Sequence, residues 1–215
     1  MNHLSSYCHI STKEIVTDKG ALLFDNTEGL EVNDFLKTVY KKLAIDYPKF
    51  YKMDSLSKAA FLGVELLKKE NAALAEYADD EIALLFANSN ASEDTDKKFV
   101  NSYAEEHAPS PSLFVYTLPS ILMGELAIRN KWYGESLFVI LQKFDAAFFA
   151  DYCNMILLRN AKACICGWIE ITEGKTEAFI FLAEKNGNEN NTPLTKQTIE
   201  KIYKTIMKQS RPSKV

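Results

Sequence analysis

Thiols, imidazoles and paired carboxylates are the groups of this 215-residue chain suited to nucleophilic, acid–base or metal chemistry, and their spacing argues against each in its usual form. The cysteines are Cys8, Cys153, Cys164 and Cys166. They make no CxxC pair and no disulfide framework, and no neighbouring histidine completes a zinc site, so no metal is expected. Cys164 and Cys166 stand two apart in an apolar run, on one face of a strand, and read as buried small hydrophobes. A general base sits within hydrogen-bonding distance of its nucleophile. Nothing places His3, His9 or His107 that way, and all three are expected at the surface. The acidic runs Asp79-Asp80-Glu81 and Glu93-Asp94 read as solvated loops. There is no glycine-rich phosphate loop and no GxSxG elbow. No cofactor is implied.

The apolar periodicity predicts the elements around these groups. Ser5 to Ser11 reads as a strand, and Glu14 to Phe24 as a second strand or hairpin turning at Asp18-Lys19-Gly20. Asn33 is expected to cap a helix through Leu43, with Phe35, Leu36, Val39 and Tyr40 on its apolar stripe. Asp54 or Ser55 caps another, running to about Glu70. Ile82 to Ala87 is apolar throughout, which suits a strand covered on both faces. Helices are expected over Thr95 to Glu106 and Ser120 to Asn130, with Pro109-Ser110-Pro111-Ser112 a rigid connector between them. Next come a strand from Ser136 to Leu141, a strongly apolar helix from Ala146 to Leu158 and a strand from Ala163 to Ile171. Gly174-Lys175 turns into an antiparallel partner, Glu177 to Glu184. Asn186 to Asn191 is a polar loop, and Thr195 to Met207 an amphipathic helix. This alternation argues for one α/β domain over residues 1–215 with a mainly parallel sheet of about five strands, covered by helices on both faces.

The composition is globular: 47% of the residues are hydrophobic and 12% aromatic. A net charge of −4 supplies no positive face for a phosphate backbone, so nucleic acid is not an expected partner. The basic residues from Lys196 onward read as a solvated helix face. No run approaches the roughly 18 apolar residues of a membrane span. Met1 to Ile10 does not have the pattern of a signal peptide, and a reducing cytosol is the expected setting.

Two stretches resemble a known family. Ser110-Pro111-Ser112-Leu113-Phe114-Val115-Tyr116-Thr117-Leu118, with Gly124-Glu125-Leu126-Ala127-Ile128 behind it, is similar to the Ser-Pro-(Ser/Thr)-x-Phe-x-x-(Ser/Thr)-(Val/Leu) segment and small-residue helix of β-ketoacyl synthases. The strand, helix and strand from Gly134 to Glu170 resemble the nucleophile region of the same enzymes. Tyr51 to Ser57 resembles the entry to their first long helix, with Lys52 near an arginine position. The likeness covers roughly residues 47–182. It is closest in flavour to the divergent ketoacyl-synthase N-terminal domains of aryl-polyene and flexirubin-type pigment pathways, and it implies a thiolase-like half.

The resemblance also implies a cysteine between that strand and helix, where a helix N-terminus lowers the thiol pKa. Counting back from Glu170 puts the position on Gln142, and counting forward from Gly134 puts it on Lys143. The family's second half supplies two histidines for decarboxylation and oxyanion stabilisation, and no histidine follows His107 here. The expected function is therefore a non-condensing subunit. It would pair with a catalytic ketoacyl synthase, as a chain-length factor does, or with a second copy of itself, and would work with an acyl carrier protein. The family pairs through the strand before the nucleophile, here Ser136, Leu137, Phe138, Val139, Ile140 and Leu141. Two alternatives stand beside this: a decarboxylase using the Gln142 amide, and a binding module unrelated to acyl chemistry.

Overall fold

A computed structural model describes residues 1–18, 22–105, 107–173, 175–186 and 192–209. The strands are β1 (His3–Ser11), β2 (Glu14–Thr17), β3 (Leu22–Asp25), β4 (Ile82–Asn88), β5 (Ser136–Ile140), β6 (Ala163–Thr172), β7 (Lys175–Glu184) and β8 (Thr192–Pro193). The helices are α1 (Val32–Lys42), α2 (Ser55–Glu70), α3 (Glu93–Ala104), α4 (Pro111–Val115), α5 (Ile121–Asn130), α6 (Ala146–Leu158) and α7 (Lys196–Gln209). Lys19 and Gly20 of the first expected turn, Gly174 of the second, and residues 187–191 of the polar loop lie outside the described residues.

Among the described residues eight strands form one mixed sheet in the order β3-β2-β1-β7-β6-β4-β5, with β8 beside β1. The fold class is as expected, but about five strands was an undercount, and the sheet is not mainly parallel. Only β4–β5 and β4–β6 run parallel. The other ladders, β1–β2, β1–β7, β1–β8, β2–β3 and β6–β7, are antiparallel. The cause is connection length: short turns join β1 to β2 and β6 to β7, and only a long crossover can bring strands parallel. Apolar runs cannot distinguish the two, because the β6–β7 hairpin is itself covered on both faces.

Side-chain alternation divides the core into two layers. Ala178, Ile180 and Leu182 of β7, with Ile165 and Ile169 of β6, meet α2 and the elements around it. Phe179, Phe181 and Ala183 of β7, with Cys164, Cys166 and Trp168 of β6, meet α6 and α7. Asp54 caps α2 by accepting from Ser57 N at 2.9 Å, and it also accepts from Thr95 Oγ1 at 2.9 Å. Asn33 does not cap α1: Glu31 holds that position, and Asn33 Oδ1 accepts from the buried Lys58 ammonium at 2.6 Å. Glu93 and Asp94 are not in a loop. They lie in the first turn of α3, paired with Lys97 and Lys98 at i+4. α6 is buried through Ala146, Phe149, Ala150, Cys153, Ile156 and Leu157, while Phe148 is half-covered and Met155 and Leu158 face outward.

Gly167 on β6 lies opposite Phe86 of β4, and a Cβ there would fall 2.4 Å from the Phe86 ring. That ring is fully buried and has nowhere to retreat. Gly167→Ala should therefore destabilise the fold by about 1–3 kcal/mol. Gly124 lies in α5 with open space where a Cβ would go, so Gly124→Ala should stabilise by up to about 1 kcal/mol. Urea unfolding of the two variants against the parent should give midpoint shifts of opposite sign.

Candidate functional site

β5 is the outermost strand on its side of the sheet and pairs with β4 in register from Leu84↔Ser136 to Asn88↔Ile140. Its other edge has no strand partner among the described residues. Leu141 N extends the ladder by donating to the Asn88 carbonyl at 2.8 Å, and Gln142 and Lys143 follow as an exposed bend. Asp145 then caps α6, its carboxylate accepting from Ala147 N at 2.8 Å and Phe148 N at 3.2 Å. A free helix N-terminus offers amide donors and a partial positive charge, and here a carboxylate has taken both. A nucleophile at residue 142 or 143 would gain little anionic stabilisation from α6.

Phe144 anchors the turn from within. Its ring stacks on Tyr203 of α7 at 3.8 Å and packs against Phe149, Trp168 and Phe179. The sequence offered no signal for this, since Phe144 falls between two expected elements.

Beneath the turn lies a buried polar row that the sequence also left unseen. Glu170 ends the apolar part of β6 and accepts from Ser89 N at 2.5 Å and Asn90 Nδ2 at 3.1 Å, which fixes the loop after β4. Asn88 steadies the same loop, with Oδ1 accepting from Ala91 N at 3.0 Å and Nδ2 donating to Ala91 O at 2.7 Å. Glu177 faces Glu170 across the β6–β7 ladder, accepts from the Tyr203 hydroxyl and pairs with Lys175 at 3.1 Å. Burial, reinforced by the hydrogen bond to Glu177, pushes the Tyr203 phenol well above its ordinary range.

His9 corrects an expectation. It was expected at the surface, but it is 1% exposed, because alternation on β1 turns it with Tyr7 into the sheet. Among the described residues neither ring nitrogen has a hydrogen-bond partner. Burial lowers its pKa to about 4, and the nearby Glu177 opposes that shift only in part. His107 is exposed as expected, and His3 lies 3.8 Å from Glu184.

The other family-like positions are peripheral. Ser110 caps α4 by accepting from Leu113 N at 3.3 Å, with Ser112 Oγ 3.0 Å away, and Pro111 opens the helix. Phe114 is 62% exposed and leans on Phe99, and Gly124 lies on the exposed face of α5. All four cysteines are free and buried. Although the sequence shows no metal-ligand spacing, the fold brings the sulfurs of Cys153, Cys164 and Cys166 within 4.8 Å of one another.

No protein-family model matches the chain, and no curated protein matches it. Solved structures do. The ishigamide ketosynthase/chain length factor is similar with a TM-score of 0.60 at 13% identity, over 89% of this chain and 64% of that one. A type II PKS acyl-carrier protein in complex with its ketosynthase bound to the hexaketide gives 0.56 at 14%, over 86% and 62%. A ketosynthase in complex with its chain length factor from Xenorhabdus doucetiae gives 0.53 at 15%, over 86% and 80%. The chain thus spans less than two thirds of the length of the first two. At these identities the likeness shows the fold: this is the α/β, thiolase-like architecture of ketosynthases and chain length factors. No helix among the described residues is long and apolar enough to cross a membrane.

The buried His9 has a consequence for stability against pH. Its folded pKa of about 4 lies below the ordinary 6.5, so between those values the unfolded chain takes up a proton that the native chain refuses. Stability should therefore fall as pH drops through that window, by about 3 kcal/mol in all from this residue. His9→Leu should flatten the decline, as read by thermal melts from pH 7 to 4.5. An equally steep decline in the variant would count against this assignment.

Proposed function

We propose that the chain is a non-catalytic ketosynthase-like subunit of a fatty-acid or polyketide pathway, of the aryl-polyene or flexirubin-like kind. It pairs with an active synthase in the manner of a chain-length factor and works beside an acyl carrier protein. The observation that carries this reading is the turn between β5 and α6. Gln142 and Lys143 stand there in place of a thiol, and the Asp145 carboxylate already occupies the amides of the helix end. Neither an amide nor an ammonium can form the thioester that begins condensation, and an adjacent carboxylate raises rather than lowers the pKa of an acidic nucleophile.

Pairing is supported by the outer edge of β5, which has no strand partner among the described residues. Unsatisfied backbone groups on an exposed strand favour a further strand. Ile140 is 51% exposed on that strand, whereas Leu137, Val139 and Leu141 pack inward toward α6. A catalytic synthase is the proposed occupant, and a second copy of this chain is the other member of the same class.

Two measurements test the reading. Incubated with an acylated carrier protein, the purified chain should show no covalent acyl adduct by mass spectrometry. Specific acylation of Gln142, Lys143 or any cysteine would overturn the non-catalytic assignment. For pairing, Ile140→Lys is the sharper probe, since a charge at Val139 would disturb the core as well. Burying a large aliphatic side chain contributes roughly 1.5–3 kcal/mol, so the lysine should weaken association with the synthase, or self-association, by about tenfold to a hundredfold. Light scattering and circular dichroism on one sample decide it: a folded variant with unchanged association excludes β5 as the interface.

A further inference from the structure

We propose that Cys153, Cys164 and Cys166 form a sulfur-only site for a soft monovalent metal ion, copper(I), in the core between α6 and β6. Cys153 comes from the buried side of α6, and Cys164 and Cys166 from the β6 face that α6 covers. The Cys164 and Cys166 sulfurs are 3.7 Å apart, and all three lie within 4.8 Å of one another. A metal about 2.3 Å from each of three thiolate sulfurs in one plane holds those sulfurs about 4 Å apart. The trio is close to that spacing as it stands.

Cys164 and Cys166 share a strand face through their spacing, but that spacing does not bring Cys153 of α6 onto them. Cys8, equally buried, instead directs its thiol to the Gly63 carbonyl at 3.5 Å. The donor set also selects among metals. Among the described residues no imidazole or carboxylate joins the three sulfurs. Leu85, Ala150, Phe149 and Leu157 belong to the same apolar cluster. Structural zinc takes four ligands in a tetrahedron, whereas thiolate sulfur is the preferred partner of copper(I). Each thiol that becomes a ligand loses its proton to solvent as the sulfur–metal bond forms, and the ion does not change oxidation state.

The test uses the full chain, loaded anaerobically with copper(I) in two ways: added to the native protein, and present during refolding from denaturant. After passage through a copper(I) chelator, one copper per chain should remain in at least one of the two preparations. Its X-ray absorption should show three sulfur neighbours and no nitrogen or oxygen. Cys166→Ala should lose the ion and Cys8→Ala should keep it, with circular dichroism confirming that each is folded. If Cys166→Ala does not fold, the sulfur count on the parent protein decides alone. No copper retained in either preparation, retention unchanged in folded Cys166→Ala, nitrogen or oxygen ligands, or preferential retention of zinc in parallel loading would each overturn the proposal.

Discussion

The β6–β7 hairpin is buried on both faces along nearly its whole length, and most of the molecule follows from that requirement. Two ten-residue strands paired from Ala163↔Glu184 to Thr172↔Lys175 cannot be left with either face in water. One helical layer must cover Ile165, Ile169, Ile180 and Leu182, and a second must cover Cys164, Cys166, Phe179 and Phe181. α2 answers the first demand with a helix buried on nearly every side, and α6 and α7 answer the second. Because the hairpin fills the centre, the parallel strands β4 and β5 are displaced to one side and the β1–β2–β3 meander to the other. β5 ends at the edge for this reason.

The same burial decides the fate of polar groups. Glu170 and Glu177 sit side by side where the hairpin leaves the core: the loop after β4 satisfies one, and Tyr203 of α7 with Lys175 of β7 itself satisfies the other. Two carboxylates so placed attach the loop after β4 and helix α7 to one end of the sheet. Desolvated groups of like charge repel, and the amide, hydroxyl and ammonium donors offset that repulsion. Lys58 shows the complementary case. Burial lowers its pKa to about 8, and Asn33 Oδ1 accepts a hydrogen bond from its ammonium.

What the sequence made legible was local. The Asp54 cap, the all-apolar strand beginning at Ile82 and the helix from Ala146 to Leu158 depend on neighbours a few residues away, and each lies where the pattern put it. What depended on distant pairing was not legible. The antiparallel β6–β7 hairpin is readable from its turn, but the pairing of β7 with β1 and the meeting of Cys153 with Cys164 and Cys166 are set by contacts between distant segments. His9 lies between these cases. Alternation along β1 places it with Tyr7, on the face opposite Cys8 and Ile10, but its polarity suggested solvent, and only the second helical layer makes that face an interior. At the candidate site the residue types at 142 and 143 were readable, whereas the Asp145 cap and the Phe144 anchor needed the turn itself.

The turn after β5 separates two properties that a condensing enzyme needs together. Positioning survives: the strand is in register with β4, Phe144 is seated in an aromatic cluster, and α6 begins at a defined residue. Activation does not. A thiolate nucleophile draws on unsatisfied amides at a helix N-terminus, and each donor accepted by Asp145 is one that no longer stabilises a neighbouring anion. The exchange has a structural return, because a capping carboxylate stabilises a helix by about 1 kcal/mol. If the chain holds no acyl group, as proposed, this helix end can be optimised for stability. The outer edge of β5 is under no such relaxation, since its unpaired backbone groups and the exposed Ile140 make an uncovered edge a standing risk of aggregation. On the proposed function, a closed helix end beside an open strand edge is the arrangement of a subunit organised around what binds there rather than around what reacts.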